Sequence, residues 1–183
     1  MKYSLLKRAA IHEAGHVLCY YLLYDNLDEI EYVEINTGEY EGNGITMFVD
    51  SVNCIPPNFN TKEGFKYWTD FFKIQVAGCC AEQICFKEDK IDQSILNGDL
   101  RIFIGDEKRI FQMVLFGVLS TRTDLTPIYE LVSDSINNVK RMFSEVKNQT
   151  LINKIASTLL NEKEINDAKR ILPDQIYQIL REG

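Results

Sequence analysis

The chain has 183 residues, of which 45% are hydrophobic and 26% charged, with a formal net charge of −7. That length and composition fit one globular domain, 1–183, with a core that needs no disulfides, and they exclude wholesale disorder. The acidic balance argues against nucleic acid and against an anionic membrane surface as partners, because both need a clustered positive field. The basic pairs Lys7-Arg8 and Lys169-Arg170 read as solvated helix faces.

The first expected element is a helix from about Ser4 to Tyr24, with Ser4 as N-cap and Asp25-Asn26 ending it. Leu5, Ala9, His12, His16, Cys19 and Leu23 recur at steps that place them on one stripe. Between Glu29 and Asp50 the pattern turns to β: Ile30, Tyr32-Val33 and Ile35 form one run, and Ile45, Met47 and Val49 another. Gly38, Gly42, Asn43 and Gly44 lie between them, which predicts an antiparallel pair with a longer loop. After a loop at Pro56-Pro57-Asn58, a helix is expected over Thr61–Phe86 with Phe65, Trp68, Phe72, Val76 and Cys79 on its buried face. A polar stretch from Lys87 to Gly98 follows, and then a helical pattern towards Leu119. Thr126-Pro127 reads as N-cap and first-turn proline of a helix reaching about Lys147. From Thr150 onwards Leu151, Ile155, Leu159 and Leu160, then Leu172-Pro173, Ile176, Ile179 and Leu180, predict further helices. The expected fold class is mainly α, a helical bundle with a small β ribbon after the first helix.

The five cysteines, Cys19, Cys54, Cys79, Cys80 and Cys85, form no Cys-x-x-Cys and no complete disulfide framework, and they read as reduced core residues. No apolar run is long enough to span a bilayer, and polar His12 and Glu13 interrupt any signal-peptide core. The expected location is the cytoplasm, without membrane attachment.

Both histidines of the chain fall in His12-Glu13-Ala14-Gly15-His16, the H-E-x-x-H pattern on an expected helix. Residues four apart lie one turn apart on the same face, so both imidazoles reach one zinc ion. Glu13 sits beside the metal without binding it, in position to take a proton from a water that the metal has acidified. Gly15 keeps the helix surface low where a substrate or a neighbouring backbone approaches. The bland alternative, two histidines satisfied as core or surface groups, does not account for a pattern that uses both at ligand spacing. A third ligand must come from elsewhere and must be a carboxylate or a thiolate. Cys19 lies on the same helix, too far along its axis to close a tetrahedron, and reads as core. Glu82, Asp92, Asp99 and Asp106 are the carboxylates to weigh.

The stretch Ile11-His12-Glu13-Ala14-Gly15-His16-Val17-Leu18 resembles the zinc-binding helix of the FtsH family of ATP-dependent metalloproteases. Tyr32-Val33-Glu34-Ile35 and Gly44-Ile45-Thr46 are similar to the strands that follow it. Val76 to Ile84 is similar to the family's Gly-Gly-Arg-Ala-Ala-Glu-Glu helix, with Cys79, Cys80 and Gln83 as departures, and the segments from Ile155 and Leu172 resemble its C-terminal helices. The resemblance implies an FtsH-like protease-domain fold and a zinc endopeptidase acting on unfolded or flexible polypeptides. It implies Asp99 as third ligand, opening the helix after the Ala-Glu segment, with Asp106 as runner-up; the bland reading of either is a helix N-cap. It further implies a substrate strand over Gly44, Ile45, Thr46 and Met47, assembly into homo-oligomers, and a separate ATPase partner. No Gly-Lys dipeptide occurs, so these residues contain no phosphate-binding G-x-x-x-x-G-K loop. The competing reading is a regulatory or binding module that keeps the zinc fold without turnover, motivated by the altered Cys79-Cys80 segment.

Overall fold

The computed structural model describes residues 4–39, 41–48, 57–104, 113, 116–120 and 125–181. Within them the chain is mainly helical, with a small antiparallel sheet: α1 (Leu5–Tyr24), β1 (Ile30–Asn36), β2 (Gly44–Phe48), α2 (Lys62–Cys85), α3 (Gln93–Ile104), α4 (Thr126–Phe143), α5 (Val146–Asn161), β3 (Ala168–Ile171) and α6 (Pro173–Arg181).

Helix α1 begins where Ser4 Oγ accepts the Lys7 amide at 3.3 Å and ends at Asp25, which turns into the left-handed region at φ 55. Its buried residues run without a break from Ala9 to Tyr20, so it is not the one-sided helix that the stripe predicts. The cause is position: α1 packs on α2, α5, β1 and β2, and a helix covered on all sides is apolar all round. Ile11, Val17 and Leu18 are fully buried in it, each contributing about 1.5–3 kcal/mol of hydrophobic stabilisation. Leu5, at the start of the expected stripe, is exposed.

The crossing of α1 and α2 is close because its residues are small. A Cβ on Gly15 would stand 2.6 Å from Ala81 Cβ and 2.7 Å from the Ala77 carbonyl, so the neighbouring backbone is what the glycine admits. Thr61 caps α2 by accepting the Gly64 amide at 3.0 Å. Trp68, Phe72, Val76 and Cys79 are buried as expected, whereas Phe65 is exposed and packs on Phe59 with the rings tilted at 52°.

Strand β2 pairs with β1 in the register Val33↔Thr46 and Ile35↔Gly44. Thr46 and Gly44 therefore share the face that Val33 and Ile35 turn into the core, while Ile45 and Met47 face away from it. Val49, the last residue of that expected run, lies outside the described residues. The expected two-stranded ribbon is in fact a three-stranded sheet of order β2-β1-β3. Lys169-Arg170 is part of its third strand and not a helix face. Arg170 forms a cross-strand ion pair with Glu34 at 2.6 Å and lies 3.8 Å over the Tyr32 ring.

The expected helix to Lys147 is two helices. α4 stops at Phe143, and α5 starts at Val146 after a break at Ser144-Glu145. Thr126 is the first residue of α4 and Leu125 its N-cap, with Pro127 in the first turn. α4 buries Ile128, Val132, Ser135, Val139 and Phe143 along one stripe. Among the described residues, no helix is long and apolar enough to cross a membrane.

Candidate metal centre

His12 and His16 stand one turn apart on α1, where it forms the wall of a cleft of about 710 Å³ between β2, α2 and α3. Their Nε2 atoms lie 3.0 Å apart. Asp99, from α3, brings Oδ1 to 3.3 Å from His12 Nε2, and one ligand atom of each of the three residues lies within 4.8 Å of the others.

The far nitrogen of each ring is occupied. His12 Nδ1 lies 2.9 Å from Glu82 Oε1, and His16 Nδ1 lies 2.7 Å from the Ile74 carbonyl oxygen. A carboxylate and a carbonyl offer only acceptors, so both Nδ1 atoms carry the proton and donate. Each neutral imidazole then directs an Nε2 lone pair into the cleft. Two lone pairs and a carboxylate oxygen converge on one point, an arrangement that repels itself unless a cation, a proton or a metal ion, stands between. Ligands about 2.0–2.1 Å from a tetrahedral ion stand about 3.3 Å apart, close to the 3.0 and 3.3 Å that separate His12 Nε2 from His16 Nε2 and from Asp99 Oδ1. The donor set of two imidazoles and one carboxylate suits zinc and leaves a fourth position open to the cleft.

The electrostatics agree with a cation-attracting pocket. Burial pulls the His12 pKa down, but hydrogen bonds to Asp99 and Glu82 and the charges of Glu13 and Asp99 outweigh it and raise it to about 10. Burial and the neighbouring His12 charge lower that of His16. Burial opposes ionisation of Asp99, yet the hydrogen bond and charge of His12 hold its carboxyl below the usual range. The acidic groups around His12 thus favour a positive charge where the three groups meet, and a metal ion there would take the place of the His12 Nε2 proton and leave both imidazoles neutral.

Glu13 is buried beside the histidines and is not one of the three converging groups. Thr46 donates its hydroxyl to Glu13 Oε2 at 2.8 Å. A Cβ at Gly44 would lie 2.6 Å from Glu13 Cγ and 2.7 Å from Oε1, so β2 approaches the carboxylate as closely as it does because residue 44 is glycine. Behind the site, Arg8 Nη2 pairs with Glu82 Oε2 and Nη1 with Glu88 Oε1, each at 2.6 Å. Arg8 is therefore an ion-paired residue between α1 and the end of α2, not a solvated helix face.

All four residues of the expected substrate strand, Gly44, Ile45, Thr46 and Met47, line the cleft. β1 occupies one edge of β2, and among the described residues nothing pairs with the other. The remaining carboxylates fall elsewhere. Glu82 orients a histidine, and Asp92 caps α3 by accepting the Ser94 amide at 2.8 Å. Asp99 lies in the interior of α3, which begins inside the polar stretch at Gln93, so it neither opens that helix nor caps it. Cys19 is wholly buried and outside the cluster. Asp106 and Cys54 lie outside the described residues. The sequence does not foresee that Glu82 accepts from His12 or that Thr46 donates to Glu13. The first bond joins residues 70 apart and the second residues 33 apart, and spacing carries no signal over such separations.

No protein-family model matches the chain, and no curated protein matches it significantly.

Proposed function

We propose that the chain is a zinc-dependent endopeptidase that hydrolyses peptide bonds in extended polypeptides. The observation that carries this reading is the convergence of His12 Nε2, His16 Nε2 and Asp99 Oδ1, with both Nδ1 atoms tied off and the Glu13 carboxylate alongside. His12, His16 and Asp99 would hold the ion. Zinc bound there supplies Lewis acidity, lowering the pKa of a water and polarising a carbonyl oxygen. Glu13, oriented through Oε2 by Thr46, accepts the proton of the attacking water and returns it to the leaving amine. The open edge of β2 offers backbone groups to an extended peptide, which favours polypeptide over a small compact substrate.

The test is zinc analysis of the purified chain together with digestion of casein, with and without chelator. About one zinc per chain and chelator-sensitive cleavage are expected. Zinc without cleavage would favour the second reading, a binding or regulatory module of the same fold. Glu13 speaks against that module, because a site that only holds metal has no use for a buried carboxylate poised beside it.

A further inference from the structure

Cys79 and Cys80 are two of the positions at which α2 departs from the helix it resembles, and the two thiols turn to different places. Cys80 Sγ lies 4.0 Å from the Ile136 carbonyl, in the packing between α2 and α4. Cys79 Sγ lies 3.2 Å from Asp99 Oδ2. An ionised carboxylate only accepts, so the thiol is the donor. We infer that Cys79 is a positioning residue for the third metal-binding group: its S–H holds Oδ2 of Asp99 and leaves Oδ1 turned to the two Nε2 atoms. This rests on reading His12, His16 and Asp99 as a metal site, and it is independent of the reaction performed there.

Asp99 needs such a hold more than the histidines do. Its side chain is 17% exposed against 10% for His12. A Cβ on adjacent Gly98 would meet nothing within 4 Å, so among the described residues no neighbouring element packs on that side of α3. The thiol reaches it from α2, the helix whose Glu82 holds His12 and whose Ile74 carbonyl holds His16. All three converging groups are thereby oriented from one helix, at Ile74, Cys79 and Glu82. Cys79 is itself not among the converging groups, so its influence runs through Asp99.

Zinc affinity of the full chain, measured by competition with a chromophoric chelator, tests this with Cys79→Ala and Cys79→Val as non-donors and Cys79→Ser as a donor. Loss of a group that hydrogen-bonds a metal ligand weakens binding by about 10–100-fold, and a weak thiol donor belongs at the lower end. Both non-donors should therefore lose about tenfold, while the serine variant stays near wild type. Thermal melts in chelator report how much fold stability each replacement removes, and the affinity order should not follow that order. Unchanged affinity in the alanine and valine variants, or an equal loss in all three, overturns the inference. So does a Cys79-dependent thiolate charge-transfer band on cobalt(II) binding, which would make Sγ a ligand. If wild type binds zinc no better than His12→Ala, the metal-site reading fails and takes this one with it. Firm wild-type binding that is indifferent to Cys79 sinks this inference alone.

Discussion

Glu13→Gln keeps the size of the side chain and an oxygen for Thr46 to donate to, but removes the carboxylate that accepts a proton. Since Glu13 stands outside the group of converging ligand atoms, zinc content should remain at wild-type level. General acid–base groups contribute about 10²–10⁴-fold, so peptide cleavage should fall at least about 100-fold. Loss of metal equal to that of His12→Ala would make Glu13 a ligand and overturn its assigned role. Thr46→Val, which removes only the hydroxyl that orients Glu13, should lower kcat by a smaller factor with KM and zinc content little changed. A combined loss of both would mean that Thr46 acts in binding or folding instead. At this scale H-E-x-x-H was legible, because helical periodicity alone makes neighbours of His12 and His16. The hydrogen-bonding roles of Glu82, Thr46 and Cys79 were not, because tertiary packing brings those residues in from other elements.

Asp99 belongs to α3, and its place in that helix shapes what a substitution there will do. Alanine has the higher intrinsic helix propensity, and Asp92 supplies the N-terminal cap, so Asp99→Ala leaves α3 no weaker as a helix. A fall in zinc affinity would then report the missing carboxylate. It should exceed the roughly 10–100-fold typical of losing a partner that merely supports a ligand. Asp106→Ala is the comparison that the sequence itself calls for, and it should weaken zinc less. The reverse order of effects would move the third ligand to Asp106. The elements with long apolar periodicity, α1 and α2, could be read from sequence to within a residue or two at each end. β3 could not: Ala168–Ile171 is short, carries Lys169-Arg170 at its centre, and owes its extended form to pairing with β1. The Ser144-Glu145 break was equally hidden, because the apolar residues on both sides keep a helical spacing while Glu145 turns extended between them, at φ −67 and ψ 129.

Across the whole molecule, the centre gathers side chains from α1 and α3 against α2, so an ion held there cross-links elements at opposite ends of the described sequence before residue 105. Around it the helices already pack: α1 is buried along most of its length by α2, α5 and the sheet, and that packing does not pass through the metal. The fold should therefore survive chelation and lose only the linkage contribution. At free zinc 100-fold above its dissociation constant that contribution is about 2.7 kcal/mol. For a chain of this size 1 kcal/mol moves Tm by about 2–4 °C, so adding chelator should lower Tm by about 5–11 °C while the melt stays cooperative. His12→Ala and His16→Ala should melt at the same temperature with or without chelator. Asp99→Ala should show a reduced shift that recovers as zinc is raised, because mass action restores occupancy of a weakened site. A chelated protein that loses its helical circular dichroism outright would mean that the ion builds the fold, as in small zinc domains, and not that the fold builds the site. A wild-type Tm indifferent to both zinc and chelator would remove the metal from the account altogether.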